Sequence, residues 1–376
     1  MQIIKNCKYA NFIYYIAIFI HIMIMCVEFG QWSVPYRGRL LQVAFLLCCI
    51  KIIMTFYTKI QWIAMTILGV MGIVSYYFTR EKYVLYVMVL IWAAKSVDID
   101  KVLKYILYAS VAAIFVISIL SLLGVGGPAF DARDYGRNAI EVRYGLGFSH
   151  ANNFHSAIWL VATLAVWIYK DKFDWKHYCI MTVVNILLFL LTASKTGLIA
   201  TELIIVAGVL YRYANKAIFE SIWIYIAGAV VYVVILGFSL AAITICGWRG
   251  YGPVLDFVNR LTTGRVHLAY KYARLEWWKI WSKSGVEETI LDNGFASLGI
   301  SFGYVICITF IIFVAYMLYI AAKKKDGILF AIIVISIICT YMENTFVLNY
   351  AYLLCNPIYL VAMKVLCEDT FGLEVR

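Results

Sequence analysis

The stretch DARDYGRNAIEVRYGLGFSHANNFHS, residues 131–156, is a polar segment between two long apolar runs. It contains three arginines and a glycine turn, followed by histidine and amide side chains: Arg133, Arg137, Arg143, Gly145, Gly147, His150, Asn152, Asn153 and His155. The next apolar run begins where these polar residues end. Basic side chains at the mouth of an apolar helix predict an anionic partner at that point.

The composition of the whole chain is that of a protein embedded in lipid. The 376 residues are 64% hydrophobic and only 14% charged, and the mean hydropathy is +0.86. A soluble domain of this size would carry far more charge on its surface. The apolar runs are long enough to cross a bilayer core, which takes roughly 20 residues per helix. The sequence therefore predicts an all-α polytopic membrane protein, because a β-barrel would show short alternating segments instead.

Twelve apolar runs are candidate membrane spans. Their approximate bounds are 10–28, 40–57, 62–79, 83–94, 104–126, 153–169, 178–193, 196–211, 221–246, 296–320, 327–343 and 348–364. With no internal repeat, no linker and no cleavage site after the first run, we expect an uncleaved first helix and a single integral membrane domain, 1–376. An even number of spans places both termini on one side. The short loops on that side are rich in lysine, which makes it the cytoplasm.

The opposite side of the membrane is rich in arginine rather than lysine. Alternation of the spans places ten arginines there: Arg37, Arg39, Arg80, Arg133, Arg137, Arg143, Arg249, Arg260, Arg265 and Arg274. Either residue type would satisfy topology, but the planar guanidinium also binds phosphate through two parallel hydrogen bonds. External arginine therefore indicates an anionic ligand. The alternative is contact with lipid headgroups, and it suits Arg37, Arg39 and Arg80 best.

Two external loops, 127–149 and 247–293, are larger than the others. In the second loop, Thr262 or Thr263 is placed to cap a helix. His267, Lys271 and Arg274 follow at positions i, i+4 and i+7, so they share one face of that helix. We expect a helix on the outer membrane surface that covers a cavity. The alternative is a simple amphipathic surface helix with no part in the chemistry.

Several charged positions have both a structural and a functional interpretation. The turn TASKTG, residues 192–197, puts Lys195 on the outer side, where it either reaches along the interface or adds a charge to an external site. His21, Lys51 and Glu202 lie inside apolar runs, where ionisable groups are functional candidates by default. The structural alternatives are that the Lys51 side chain extends to the membrane interface and that neighbouring helices supply hydrogen-bond partners to His21 and Glu202.

The sequence gives no reason to predict a metal site. Asp98 and Asp100 form a DxD tripeptide, a pattern that holds a metal ion in nucleotide-sugar glycosyltransferases. Here it lies in a short, lysine-flanked loop on the cytoplasmic side. The ten cysteines are scattered, with no CxxC pair and no metal-ligand spacing. We predict neither a metal ion nor another cofactor.

Four short motifs occur in one order along the chain. They are RYGLGFSHAN at 143–152, TASKTG at 192–197, LTTGR at 261–265, and DN at 292–293 followed by Gly303. In this order they resemble the bacterial O-antigen and capsular polysaccharide polymerases (Wzy-type) of the O-antigen ligase and polymerase superfamily. The resemblance covers about residues 130–305. The chain departs from the family pattern at three positions. Ala151 stands where the family usually has proline, Lys195 where arginine is common, and Asp292 where some relatives have histidine.

The resemblance implies a GT-C-like membrane glycosyltransferase in the cytoplasmic (inner) membrane of a bacterium, acting on the external face. Both substrates would be oligosaccharides on a polyprenyl diphosphate, and an acceptor hydroxyl would displace the diphosphate of the donor. The implied catalytic residues are Asp292, His267 and Arg265. The implied substrate-binding residues are Arg133, Arg137, Arg143, His150, Asn152, Lys195, Arg274 and Asn293.

Individual roles within this set stay open. The base that deprotonates the acceptor is Asp292 or His267, with His150 as a third candidate. His150 and Asn152 either orient the diphosphate or fix the start of the helix. Negative charge on the leaving diphosphate would be balanced without a metal by basic residues of the set: Arg143, Arg265 and either Arg137 or Lys195.

Three other functions fit part of the pattern. The sister ligase transfers a finished glycan from the same donor, and only the DN motif and the lack of a long extra domain favour a polymerase over it. A lipid-linked oligosaccharide flippase would show repeats and charges near the bilayer midplane. A purely structural membrane protein would not need ten external arginines. Expected partners are membrane lipid, a flippase and a chain-length regulator, with no nucleic acid.

Overall fold

The structure is a computed structural model of the chain, and it describes residues 8–134, 140–214, 217–249, 252–261, 264, 266–267, 269–270, 279–282, 292–344 and 350–367. The chain forms two compact units. The first comprises Met1–Thr55, Ala93–Lys216 and Ala351–Arg376, and the second comprises Phe56–Trp92 and Ala217–Tyr350. The prediction of one membrane domain stays a prediction. The candidate site residues divide between the units, since Arg143 and Lys195 belong to the first and His267 and Asp292 to the second.

The described residues are mainly helical. In chain order the elements are α1 Lys8–Phe29, α2 Arg37–Ile53, α3 Lys59–Thr79, α4 Tyr83–Ala93, α5 Ile99–Leu122, β1 Phe130–Asp134, β2 Ile140–Tyr144, α6 Ala151–Tyr169, α7 Trp175–Thr192, α8 Lys195–Tyr213, α9 Ala217–Glu220, α10 Ile222–Arg249, α11 Pro253–Leu261, α12 Gly294–Phe302, α13 Tyr304–Lys324, α14 Gly327–Met342, the 3-10 helix Tyr350–Cys355 and α15 Pro357–Cys367. Side chains cap several starts: Asp98 caps α5, Asp174 caps α7 and Ser194 caps α8. Each cap satisfies backbone N–H groups that have no partner inside the helix.

The helices confirm a helical membrane protein. Within the described residues, seven helices are long and apolar enough to cross a membrane, namely α1, α3, α5, α7, α8, α10 and α13, while α4, α14 and α15 are shorter apolar helices. The count of twelve spans stays a prediction. On α7, the side chains of Ile180, Leu187 and Leu190 are more than half exposed, as expected for a surface that faces lipid.

The predicted span 296–320 is not one continuous helix. α12 ends at Phe302 and α13 begins at Tyr304, with Gly303 between them. Gly303 has a φ of 88° and a ψ of 167°, a conformation open essentially to glycine alone. A Cβ at this position would lie 2.5 Å from the carbonyl oxygen of Ile280. The break therefore exists because another segment of the chain passes directly against the helix backbone.

Replacing Gly303 with alanine should destabilise the protein by about 3 kcal/mol or more, because the backbone strain and the clash with Ile280 act together. The expected result is a clear fall in the melting temperature of the detergent-solubilised protein. Gly69, within α3, is the matched control, since nothing lies within 4 Å of its would-be Cβ. Gly69→Ala should leave the melting temperature unchanged or slightly raised. Equal melting temperatures for the two variants would contradict the assigned backbone break.

The loop 127–149, which the sequence predicts to be external, contains a β-hairpin that was not predicted. β1 and β2 pair antiparallel, with Asp131 opposite Arg143 and Arg133 opposite Glu141. The hairpin connects α5 to α6. It adds two short strands to a fold that was expected to be entirely α-helical.

A compact apolar cluster fixes the base of this hairpin in the first unit. Its buried members are Ala113 and Ile117 of α5, Phe148, and Phe154 and Ala157 of α6. The ring of Phe148 lies 5.2 Å from that of Phe154, edge to face. The glycine turn after β2 is therefore held against α5 and α6 by apolar packing, and it delivers the chain to the start of α6 at a fixed point.

Candidate functional site

Arg143 is the best-defined member of the predicted anion-binding set. It lies on β2, and only 8% of its side chain is exposed. Its Nη2 and Nε atoms donate to Oε2 of Glu141 at 2.6 and 3.1 Å. Residues two apart on a strand lie on the same face, which is why these two side chains meet. An anionic ligand at Arg143 would therefore share the guanidinium with the Glu141 carboxylate.

The turn after Arg143 needs glycine because it runs close to α5. Gly147 has a φ of 89°, and a Cβ there would lie 2.8 Å from the side chain of Ile117. The carbonyl of Gly147 accepts a hydrogen bond from the side-chain amide of Gln31 at 3.3 Å. The predicted glycine turn is present, and its physical reason is close packing on a neighbouring helix.

His150 forms the N-cap of α6. Its Nδ1 atom accepts a hydrogen bond from the backbone N–H of Asn152 at 3.1 Å. Asn153 donates from its side chain to Ser149 Oγ at 2.7 Å, which closes the same turn. This geometry favours the interpretation that His150 fixes the start of the helix. Direct contact of His150 or Asn152 with substrate stays a prediction, although a helix N-terminus is itself suited to binding anions.

Lys195 opens α8 at the turn that follows α7. Its side chain is exposed, and the preceding Ser194 caps the helix by accepting from the N–H of Gly197 at 3.4 Å. α8 packs on α6 within the first unit. A Cβ on Gly197 would lie 2.4 Å from the ring of His155 in α6. The absence of a side chain at Gly197 therefore lets α8 approach α6 closely, two residues after Lys195.

A buried polar network, which was not predicted, links α6, α7 and α8. His155, with no exposed surface, contacts Thr192 Oγ1 through Nδ1 and Asn185 Oδ1 through Nε2, both at 2.9 Å. The Nδ2 atom of Asn185 donates to Glu202 Oε1 at 2.7 Å and to the carbonyl of Leu198 at 3.2 Å. Since both partners of Nδ2 are acceptors, Oδ1 of Asn185 faces His155. The Nε2 atom of His155 is therefore the donor in that bond.

The second oxygen of Glu202 also has a partner. Thr182 Oγ1 donates to Glu202 Oε2 at 3.1 Å. Asn185 lies seven residues before the end of α7 at Thr192, and Glu202 lies seven residues after the start of α8 at Lys195. In an antiparallel pair of helices, equal distances from the connecting turn give equal depth. That symmetry is the sequence signal that would have paired Asn185 with Glu202.

Two predicted residues of the second unit precede α12. Asn293 caps this helix, since its Oδ1 accepts from the N–H of Ala296 at 3.0 Å. Its Nδ2 donates to Ser239 Oγ at 3.0 Å, and the residue is 3% exposed. Both polar atoms of Asn293 thus have partners within the protein, which favours a structural role. Asp292 directly before it is half-buried, and its predicted role as the base stays untested.

His267 also belongs to the second unit. Its side chain is exposed, and its backbone N–H donates to Asn259 Oδ1 of α11 at 2.9 Å. Val266 and Ala269, on either side, are buried in the apolar core of that unit. The predicted residues Arg137, Arg265 and Arg274 lie outside the described residues. For Arg133 the structure describes the backbone position in β1, opposite Glu141.

Comparison of the chain with protein-family models, with curated proteins and with solved structures finds no match in any of the three. Function is therefore inferred from the residues and their geometry.

The DxD tripeptide has structural partners. Asp98 caps α5 and pairs with Lys101 at 3.0 Å, and Asp100 pairs with Lys364 of α15 at 2.9 Å. Burial alone would raise the pKa of Asp98, but the hydrogen bonds and charge of Lys101 outweigh it and lower the pKa below its usual value. These contacts join two helices of the first unit and give both carboxylates partners within the protein.

Lys51, near the end of α2, is buried within the protein. It is 1% exposed, and its Nζ atom donates to the carbonyl of Lys95 at 2.9 Å and to Thr55 Oγ1 at 2.6 Å. Its ammonium group therefore joins the end of α2 to the chain just after α4. These hydrogen bonds give Lys51 a structural role, in which its charge is held by polar groups of the protein.

Proposed function

We propose that the protein is a metal-independent membrane glycosyltransferase that polymerises polyprenyl-diphosphate-linked oligosaccharide repeat units. The observation that carries the proposal is the position of Arg143. Its guanidinium is nearly buried, and a glycine turn connects its strand to the capped N-terminus of α6. A fixed guanidinium and a helix N-terminus in one short segment form an arrangement suited to a diphosphate. The order of the four sequence motifs gives the reaction class.

In this proposal the basic residues stabilise the leaving group. Breaking the bond between donor sugar and diphosphate leaves negative charge on the departing oxygen, and fixed positive charge lowers the barrier to that step. Arg143 is preorganised because Glu141 holds its guanidinium in one orientation. Arg265, with Arg137 or Lys195, completes the set. Diphosphate is a good leaving group, so the mechanism needs no strong general acid.

The acceptor hydroxyl attacks the anomeric carbon as the diphosphate leaves. Asp292 or His267 removes the proton of the acceptor hydroxyl late in the step. This timing follows because the hydroxyl becomes acidic only when its oxygen bonds to the anomeric carbon. A single displacement of this kind inverts the configuration at the anomeric carbon and forms no covalent enzyme intermediate. The lipid tails of donor and acceptor stay in the bilayer throughout.

The membrane arrangement is part of the proposal. It has twelve spans in a GT-C-like fold, both termini in the cytoplasm, and the reaction on the external face of a bacterial cytoplasmic membrane. Lysine on one side and arginine on the other support this orientation. The seven long apolar helices support a multi-pass protein.

The experiment measures glycan length and lipid-linked intermediates in cells that lack the gene and carry variants on a plasmid. Asp292→Asn, His267→Ala and Arg265→Ala are compared with Arg260→Ala, an exposed arginine of α11 as the matched control. We expect Arg265→Ala and one of the base variants to accumulate single lipid-linked repeat units. The control should make polymer of normal length at equal membrane expression.

Two other outcomes would overturn the proposal. Polymer of normal length that remains on its lipid carrier would identify a ligase. Unchanged polymer and unchanged transfer in all three variants would show that these residues do not take part in glycan transfer.

A further inference from the structure

The two faces of the β-hairpin differ in chemistry, although the strand register places Asp134 opposite Ile140 at one end of the more apolar face. On one face the described side chains are apolar or aromatic and exposed: Phe130 at 54%, Ile140 at 75%, Val142 at 52% and Tyr144 at 36%, with the small exposed Ala132 among them. We call these five residues the apolar face. The rings of Phe130 and Tyr144 lie 5.8 Å apart across the strands. On the other face, Arg143 is nearly buried against Glu141.

This arrangement is the reverse of that expected for a hairpin in water. A strand that packs on a protein and faces water alternates apolar residues inward with polar residues outward. Here the charged pair is turned inward and the apolar side chains are turned out. An exposed contiguous apolar surface of this kind indicates that a partner covers it.

The hairpin follows closely on a candidate membrane helix with an exposed apolar end. Near the end of α5 the side chains of Ile119, Leu122 and Leu123 are 40%, 67% and 71% exposed. Ser121 then donates to the carbonyl of Gly127 at 2.9 Å, and the hairpin starts three residues later. The hairpin is therefore fastened to the end of a candidate membrane span, and exposed apolar side chains continue along the chain from Leu122 and Leu123 through Val125 to Phe130.

The two open edges of the hairpin limit its depth. A two-stranded sheet leaves backbone N–H and C=O groups unpaired along both edges, and such groups do not occur in contact with lipid in the hydrocarbon region. The headgroup region supplies both water for the edges and acyl chains for the apolar side chains. Aromatic residues such as Phe130 and Tyr144 are frequent at that level.

We propose that the β-hairpin is a membrane-interface anchor whose apolar face inserts between the headgroups and the first acyl carbons of the bilayer. The occupant is bilayer phospholipid, because the exposed apolar residues of the hairpin follow within a few residues on the exposed apolar end of α5, a candidate membrane span. The anchor holds Arg143, on the opposite face, at the level of the lipid phosphates. If the proposed function is correct, that is also the level of the substrate diphosphate, so the hairpin sets the depth of the anion-binding group.

Photo-cross-linking to lipid tests the anchor. The photoreactive residue p-benzoylphenylalanine replaces Phe130 or Val142 in the full chain, reconstituted into vesicles of phosphatidylethanolamine and phosphatidylglycerol that contain no polyprenyl lipid. Phe115, 66% exposed within α5, is the control for lipid contact. Lys172, exposed in the loop between α6 and α7, is the aqueous control. Adducts are counted by mass spectrometry after irradiation, and size-exclusion chromatography verifies that each variant is folded.

We expect phospholipid adducts at Phe130 and Val142 in yields similar to those at Phe115, with about tenfold fewer at Lys172. Yields at the level of Lys172 would overturn the proposal. So would cross-links to a second copy of the chain in place of lipid. The substitution at Phe130 exchanges one aromatic ring for a larger one on an exposed surface, so it preserves the packing of the hairpin. Because no glycan substrate is present, the result does not depend on whether the protein is a polymerase.

Discussion

Replacing Arg143 with alanine should lower the rate of polymer formation by about two to three orders of magnitude, the usual loss when one fixed group that stabilises developing negative charge is removed. The guanidinium is nearly buried and is held in place by Glu141. A lysine would keep the charge but lose the planar fork, so Arg143→Lys should fall between the wild-type protein and the alanine variant. The measurement is the rate of conversion of lipid-linked repeat units to polymer in isolated membranes.

The control must separate loss of chemistry from loss of folding. Arg143→Ala removes the guanidinium that pairs with the partly buried Glu141 carboxylate, and this loss destabilises the hairpin. The double variant Arg143→Ala/Glu141→Ala removes the carboxylate as well and should recover stability without recovering activity. Arg39→Ala is the control for an exposed arginine, since Arg39 lies over the ring of Tyr36 rather than in the hairpin. Normal polymer from the double variant would show that Arg143 acts only as the partner of Glu141.

Replacing Asn185 with leucine should destabilise the protein by about 2–4 kcal/mol. The change removes the hydrogen bonds to His155, Glu202 and the Leu198 carbonyl. Interhelical hydrogen bonds in membranes are worth about 0.6 kcal/mol each on average, so their loss accounts for only about half of the effect. The remainder comes from the Glu202 carboxylate, which keeps Thr182 but loses its shortest hydrogen bond. The measurement is the midpoint of thermal unfolding in detergent.

Comparison of Asn185→Leu with a double variant tests the contribution of the carboxylate. Asn185→Leu/Glu202→Leu removes the stranded group, so it should unfold closer to the wild-type protein than Asn185→Leu does. Thr182→Val removes one hydrogen bond to Glu202 and leaves the other, so it should cost only about 0.6 kcal/mol. If Asn185→Leu unfolds at the wild-type temperature, the network does not join α7 to α8. If the double variant is less stable than both Asn185→Leu and Thr182→Val, the Glu202 carboxylate is not the cause of the destabilisation by Asn185→Leu.

The break at Gly303 shows one limit of reading a sequence by periodicity. Isolated glycines within an apolar run are compatible with a continuous membrane helix, and the run 296–320 contains two, Gly299 and Gly303, but no proline and no charged residue. The helix ends there because the backbone of Ile280 crosses it at a distance that excludes a side chain. That contact joins positions more than twenty residues apart, so no local pattern contains it.

The hairpin shows a different limit. The sequence IEVRY alternates apolar and charged residues, as strands do, but five residues are too few to separate a strand from an irregular loop. Phe130 and Ala132 alternate with charged residues in the same way. The pairing of the two strands is what identifies each segment as a strand, and it puts Phe130, Ala132, Val142 and Tyr144 on one face. The same pairing turns Arg143 inward, where the sequence alone predicted an arginine open to ligand.

The sequence by itself determined that this is a helical membrane protein, where most of its helices lie, and which polar segments stand between them. Length and composition of apolar runs are enough for this, because hydrogen bonds within a helix and the cost of burying charge in lipid are local properties. The tertiary structure alone decided which polar groups meet. His155, Asn185 and Glu202 come from three helices, and their pairing depends on how closely Gly197 lets α8 approach α6. Such approach distances are set by packing between distant parts of the chain, which no single segment encodes.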